Sequence, residues 1–408
     1  MKILQINSVS GVTSTGRIVT DICEGAKAKG HECLIAYGEL QYENTGRGIE
    51  TYVIDSKIDN IYHALYTRAF DKHGLASSGA TKRLIKKIEN FKPDIIHIHN
   101  LHGYYINYEI LFGWLKRHDE IKVFWTLHDC WAYTGHCVYY TEAGCERWKD
   151  ACHTCPKQKD YPQSYIKDNS KDNYLRKNNA FASLNNLTVI VPSKWLEREV
   201  SQSFLKDYEI KVVNNGVDTK DFKPIFSMGA GADNTRVILG VANVWTPNKG
   251  LKYYIELANL LKEKGYDNYR ICLVGKKYEK TETLPENVIM MEHTNSKAEL
   301  NEIYNKAAYY VSFSSEETFG MTVVEAMSAG TYPIVMENTA CEEIVRQTVG
   351  SVTKRSAAAV LDEIMRLEDL YMKGEEVSAD EISGHAQKFS KERFVDEMLK
   401  IYESTLRL

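Results

Sequence analysis

Two glutamates with seven residues between them, Glu317 and Glu325, are the first groups in this 408-residue chain whose spacing suggests chemistry. They lie in AAYYVSFSSEETFGMTVVEAMSAGTYPIV, residues 307–335. An ionised carboxylate only accepts hydrogen bonds, so two of them suit the paired hydroxyls of a sugar or a ribose. Tyr309 to Phe313 is a β-rich run and Ser314 to Thr318 a polar loop. Val323, Ala326 and Met327 then recur at helical spacing, and Gly330 is a natural stop. The stretch therefore predicts strand, loop, helix, strand. Glu317 falls in the loop, and Glu325 off the apolar helix face. Ligands of an open α/β sheet bind where loops leave the carboxyl ends of the strands. The backbone N–H groups of Phe319, Gly320, Met321 and Thr322, at the helix start, suit an anionic phosphate. The bland alternative is a solvated helix start whose acids complement the helix dipole.

The elements that would position these groups alternate β and α along the whole chain, which means parallel sheets wrapped by helices. Lys2 to Asn7 reads as a strand, SVSGVTSTGR as a loop with Gly16 and Arg17 at its end, and Ile18, Ile22 and Ala26 as a helix face. Strand, Gly-bearing loop, helix is a layout in which backbone meets phosphate, although G-x-G-x-x-G is not matched. PDIIHIHN is a buried strand whose His97 and His99 read as core histidines, and NLHGYY opens from its carboxyl end. Val123 to Leu127 repeats the pattern, with His128 and Asp129 at the strand end. Residues 58 to 92 look helical, with Ile61, Tyr62, Leu65 and Phe70 as an apolar stripe among basic residues. Such charges are most simply the wet face of a core helix; the alternative is a surface resting on a membrane. The length favours two domains, 1–205 and 206–390, with 391–408 as a final amphipathic helix.

ETFGMTVVEAMSAGTYPIV resembles the E-x7-E motif of retaining, two-domain GT-B glycosyltransferases, family four in particular and the bacterial polysaccharide type. The resemblance extends over nearly the whole chain. It implies two Rossmann-like domains whose parallel sheets face each other across a cleft, with the last helix packing back on the first domain. It also implies a nucleotide-sugar donor, UDP- or GDP-linked, and a saccharide or lipid-linked saccharide acceptor. Glu325 would hold the ribose and Glu317 the transferred sugar, with Gly16 and Arg17 near the diphosphate. His128 would lie close to the donor sugar, and Asn100, His102 and Tyr104 on the acceptor side. In VANVWTPNKG, Lys249 matches the family's phosphate-binding Lys, while Asn243 stands where an Arg is expected. An amide cannot supply the bidentate clamp of a guanidinium. Transfer would proceed by front-face attack with no protein nucleophile and no catalytic metal.

Five of nine cysteines crowd between Cys130 and Cys155. Cys137, Cys145, Cys152 and Cys155 end in C-x2-C and would complete a structural zinc site, with Cys130, His136 and His153 as substitutes. A free-thiol or disulfide-stapled loop is the alternative. The formal charge of −4 gives no general attraction to nucleic acid. No apolar run approaches a membrane span and MKILQINSVS is not a signal peptide. The expectation is a cytoplasmic protein, with peripheral contact at the inner face of the membrane as an open option. Two rival readings stay open: a non-catalytic nucleotide-sugar-binding or assembly protein on the same fold, and a glycoside hydrolase using the paired carboxylates.

Overall fold

A computed structural model describes residues 1–40, 45–225, 235–278, 283–345 and 348–406. The chain forms two compact units, one of Met1–Asn214 joined by the chain from Phe394, the other of Asn215–Arg393.

The first unit is built on seven parallel strands: β1 (Lys2–Asn7), β2 (Glu32–Tyr37), β3 (Glu50–Val53), β4 (Ile95–Ile98), β5 (Lys122–Thr126), β6 (Leu187–Val191) and β7 (Glu209–Val212). Their order is β3-β2-β1-β4-β5-β6-β7, so the winding reverses between β1 and β4. The central strands are runs of Ile, Leu, Val and aromatic residues buried on both faces, as a sheet covered by helices on each side requires. Because β7 pairs with β6 through Val189↔Ile210 and Val191↔Val212, the first unit extends to Asn214, nine residues beyond the boundary expected at 205.

The helix Lys391–Leu406 joins this unit from Phe394 onward. Phe394, Val395, Met398, Leu399 and Tyr402 share one face and pack with Ile3, Ile18, Ile22 and Phe124. The approach is close enough to require glycine opposite: a Cβ on Gly25 would lie 2.1 Å from Val395 Cγ1.

Residues 58–92 form two helices, Lys57–Phe70 and Ser78–Phe91. In the first, only His63 and Thr67 are buried. Its apolar stripe is turned outward, with Ile58 79%, Ile61 62%, Tyr62 62% and Leu65 57% exposed. This corrects the expectation of a core helix with a wet charged face for Lys57–Phe70, whereas Ser78–Phe91 meets it, burying Ala80, Thr81, Leu84 and Ile88. His63 rather than the stripe faces inward, its ring nitrogens held by the hydroxyl of Ser77 and the N–H of Gly74.

The second unit repeats the architecture with six parallel strands: β8 (Arg236–Val244), β9 (Tyr269–Lys276), β10 (Val288–Met291), β11 (Tyr309–Ser312), β12 (Tyr332–Met336) and β13 (Ser351–Thr353). The order β10-β9-β8-β11-β12-β13 reverses between β8 and β11. Each unit is thus a Rossmann-like sheet with its own switch point, where crevices at the carboxyl ends of the strands take ligands.

Candidate functional site

At the switch point of the second unit, β11 runs through Phe313–Thr318 into the helix Met321–Ser328. Gly320 enters that helix at φ 107°, and a Cβ there would lie 2.6 Å from Cys341 Sγ, so only glycine allows the turn. No side chain caps the helix, and its first N–H groups have no carbonyl a turn earlier to bond. The first half of the expected donor site is therefore a helix N-terminus suited to an anion.

The Glu317 carboxylate accepts directly from the Lys249 ammonium, both side chains being partly buried. Burial acts to lower the Lys249 pKa, but Glu317 outweighs it and raises the value, so the amine stays charged. Lys249 ends the 3-10 turn Pro247–Lys249 that follows β8. Ser315 N–H ties this turn to the β11 loop by donating to Asn248 O at 3.0 Å, and Arg355 bridges the two by donating to both Asn248 O (3.2 Å) and Phe313 O (2.8 Å). Glu325 is fixed from the side by Tyr304, whose hydroxyl donates to Oε2 at 3.1 Å, and Thr322 Oγ1 accepts from Tyr310 at 2.7 Å. Sequence reasoning missed Tyr304, Tyr310 and Arg355. The two tyrosines are fully buried and indistinguishable in sequence from core aromatics. Arg355 comes from beyond β13, and nothing local marks it. Asn243 is exposed on β8, where the register slips between Val241 and Val244.

In the first unit, the carboxyl ends of β1 and β4 frame a pocket of about 250 Å³ lined by Asn100, His102 and Tyr104, with Ser8, Glu39 and Tyr161. The three residues expected on the acceptor side are thus brought together; Glu39 and Tyr161 were not anticipated. His102 Nε2–H donates to Asp129 Oδ2 at 2.6 Å, while its Nδ1 lies 3.3 Å from the Tyr161 hydroxyl. Burial would raise the Asp129 pKa, yet His102 and the N–H of Trp131 hold it below the usual carboxylate value. His128 lies deeper, 9% exposed, and lines a narrow crevice with His99, Asn100, His102 and Asp129. Burial lowers its pKa to about 4, so the imidazole is neutral at pH 7. Gly16 and Arg17 do not belong to a loop, as expected, but to the helix Thr13–Ala28, which begins directly after Gly11 turns at φ 69°. Gly16 is buried in that helix and Arg17 exposed on it.

A second groove, about 440 Å³, shares Glu39 and Tyr104 with the polar pocket. It is lined by Leu40, Ile61, Ala64 and Leu65 and bordered by Lys57 and Arg68.

Among the described residues no group of three or more His, Cys, Asp or Glu could hold a metal ion. The Cys137 and Cys155 thiols hydrogen-bond each other, and Cys152 Sγ accepts from the Gly135 N–H at 3.2 Å. What holds this loop is aromatic: Tyr140 stacks on Trp148 with centroids 4.7 Å apart, and Tyr133 meets Trp148 edge-on at 5.2 Å. A buried aromatic cluster orders a polar loop by the same route as a small core.

Two Rossmann-like units, each with polar side chains gathered at its switch point, are the parts of the GT-B fold. Residues 15–221 match the family described as Glycosyltransferase Family 4, and residues 225–380 match Glycosyl transferases group 1. The chain belongs to glycosyltransferase family 4. It is 23% identical over 394 residues to the provisionally named colanic acid biosynthesis glycosyl transferase WcaC of Escherichia coli, covering 90% of this chain and 91% of that one. Over 139 residues it is 29% identical to the GDP-mannose:cellobiosyl-diphosphopolyprenol alpha-mannosyltransferase of Xanthomonas oryzae, spanning 31% of this chain and 34% of that one. Among solved structures, sucrose-phosphate synthase from Thermosynechococcus elongatus superposes with a TM-score of 0.70 at 14% identity, covering 100% of this chain and 99% of that one.

Proposed function

We propose that this glycosyltransferase is a retaining enzyme of cell-surface polysaccharide assembly that moves a sugar from a UDP- or GDP-sugar to a saccharide or lipid-linked saccharide. The observation that carries the donor half is the Lys249–Glu317 pair beside the uncapped helix at Gly320. A nucleotide sugar presents a diphosphate next to sugar hydroxyls. Lys249 and the helix N–H groups meet the diphosphate, Glu317 accepts from hydroxyls of the sugar, and Glu325, steadied by Tyr304, accepts from the ribose. The bond from the sugar's anomeric carbon to the leaving phosphate oxygen breaks as the acceptor oxygen bonds to the same face. The acceptor proton passes to that phosphate oxygen. Charge on the leaving diphosphate is met by Lys249 and the helix dipole, so this reading requires no metal.

The polar pocket of the first unit supports the acceptor half, with Asn100, His102 and Tyr104 facing a saccharide. The apolar groove that continues from it, and the outward stripe of Ile58, Ile61, Tyr62 and Leu65, support a lipid-linked form held at a membrane surface. The relative named for a diphosphopolyprenol acceptor supports the same reading. No helix among the described residues is long and apolar enough to cross a membrane, so the contact proposed is peripheral.

The test is transfer from a panel of nucleotide sugars by the wild type and by the double variant Glu317→Gln/Glu325→Gln. Donor-dependent transfer should be lost in the double variant, and Lys249→Ala should lower turnover by roughly two to three powers of ten. Undiminished transfer by the double variant would overturn the proposal.

A further inference from the structure

β5 and the helix Ser170–Phe181 are joined by residues 127–169, which hold no strand and only two 3-10 turns, Trp131–Tyr133 and Arg147–Lys149. A connection of this kind needs about 2–6 residues, and one far longer is usually functional. The segment is nonetheless pinned at several points. Its aromatic cluster reaches the helix Lys194–Val200, where the Tyr140 hydroxyl donates to Glu199 Oε2 at 2.5 Å. Its base and its exit meet on one buried carboxylate. Asp71 Oδ1 lies 2.5 Å from His136 Nδ1, and Asp71 Oδ2 accepts from the Asn169 N–H at 2.8 Å. Between them, the Tyr165 N–H donates to Arg68 O at 2.9 Å, which ties the segment to the end of the helix Lys57–Phe70.

These anchors bring one aromatic side chain to the polar pocket. The Ser164 N–H donates to Gln158 O at 2.9 Å and closes a turn with Tyr161 within it. Tyr161 meets the rings of His73, His102 and Tyr104 edge-on, with centroids 5.7, 5.7 and 6.3 Å away, and its hydroxyl lies 3.3 Å from His102 Nδ1. The ring is still 38% exposed, and it lines the pocket. The other walls include Ser8, Glu39, Asn100 and His102, which suit hydroxyls. A sugar ring carries hydroxyls at its rim and C–H groups on its faces, so it needs an apolar wall as well as polar ones. Tyr161 and Tyr104 supply that wall. At about 250 Å³ the space is below the roughly 300–1,000 Å³ of pockets for drug-sized ligands, so it suits a single ring.

We propose that residues 127–169 are the acceptor-selecting element of this enzyme, and that Tyr161 is its specificity residue, laying its ring against the C–H face of the acceptor's terminal sugar. This rests on the reading of the polar pocket as the acceptor site. An apolar tail linked to that sugar falls in the neighbouring groove, which shares Glu39 and Tyr104 with the pocket.

The test is saturation-transfer NMR of the full chain, irradiating aromatic protons, with octyl glycosides of glucose, galactose and mannose as probes below their micelle concentrations. For at least one probe the wild type should saturate the sugar-ring protons as well as the octyl protons. Tyr161→Ala should lose most of the ring saturation while keeping that of the octyl chain, and Kd for the probe should rise about tenfold. Tyr161→Phe, which keeps the ring, should match the wild type within about twofold. Donor KM should hold in both variants. Equal ring saturation in wild type and Tyr161→Ala, or an equal loss in Tyr161→Phe, would overturn the role of Tyr161 and leave the acceptor pocket standing. A rise in donor KM equal to that in probe Kd would mark a general disturbance of the fold and overturn it too. If the wild type saturates no sugar ring, the acceptor reading of the pocket fails and the proposal falls with it.

Discussion

Lowering the pH from 7.0 to 5.5 should remove a large part of the first unit's stability, because five of its histidines are buried in the neutral form. Burial lowers the pKa of His63 to about 3 and of His128 to about 4, and it holds His73, His97 and His99 well below the ordinary value. Once unfolded, each imidazole regains a pKa of about 6.5. Below that pH the unfolded chain binds protons that the folded chain refuses, so stability is fully present above about pH 6.5 and lost as the pH falls. Between pH 7.0 and 5.5 each such histidine costs about 1 kcal/mol, and five together cost roughly 5 kcal/mol. His136 acts in the opposite sense. Burial would lower its pKa, but its bond to Asp71 at 2.5 Å raises it, so it offsets part of the loss. A typical domain has about 5–15 kcal/mol in total, so the urea midpoint should fall by roughly half. Five of the six tryptophans, at 114, 125, 131, 148 and 195, lie in the first unit, so tryptophan fluorescence follows its unfolding. Equal urea midpoints at the two pH values, or five histidines titrating near 6.5 in the folded protein, would refute the reasoning.

Tyr304→Phe should raise donor KM about tenfold with little change in Tm, because it removes the donor that holds Glu325 while leaving the buried ring; unchanged steady-state KM counts against the ribose role. Gly320→Ala should lower stability by roughly 1–3 kcal/mol, since an alanine at φ 107° would also press on Cys341; thermal unfolding reads the shift. Ile61→Glu/Leu65→Glu should abolish co-flotation with anionic phospholipid vesicles while sparing transfer to a water-soluble acceptor. Equal flotation of wild type and variant would remove the outward stripe from the membrane reading.

The alternation of strand and helix was plain in the sequence because each buried strand is a short apolar run and each helix a 3.6-residue pattern. The region around Glu317 and Glu325 was equally readable, since Gly320 and the shift from period two to helical period fix where the strand yields to the helix. The outward stripe of Lys57–Phe70 was not, because periodicity gives the width of an apolar face but not its direction. The cysteine spacing left zinc and a free-thiol loop both open for a related reason. Thiol spacing states what could converge, while Tyr133, Tyr140 and Trp148 decide how the loop folds. The partners Tyr304 and Arg355 reach their targets from 21 or more residues away, so no local pattern could reveal them.

With Asn243 where the resemblance implies an Arg, the proposed donor site of the second unit would balance charge differently. Lys249 is neutralised by Glu317, so the pair as a whole carries no net charge toward an arriving diphosphate. The attraction left at long range is that of the Arg355 guanidinium behind the loop and of the helix N-terminus at Gly320, the latter a fractional charge that fades within a turn. The pair contributes only when the donor is close enough to replace each partner: phosphate oxygens for the ammonium, sugar hydroxyls for the carboxylate. A nucleoside diphosphate without the sugar supplies only the first replacement, leaving Glu317 with one partner fewer. A free sugar supplies only the second. On the proposed donor reading, the Lys249–Glu317 contact would make recognition conditional on both halves of the donor being present, a selectivity that a guanidinium held apart from the acid would not give.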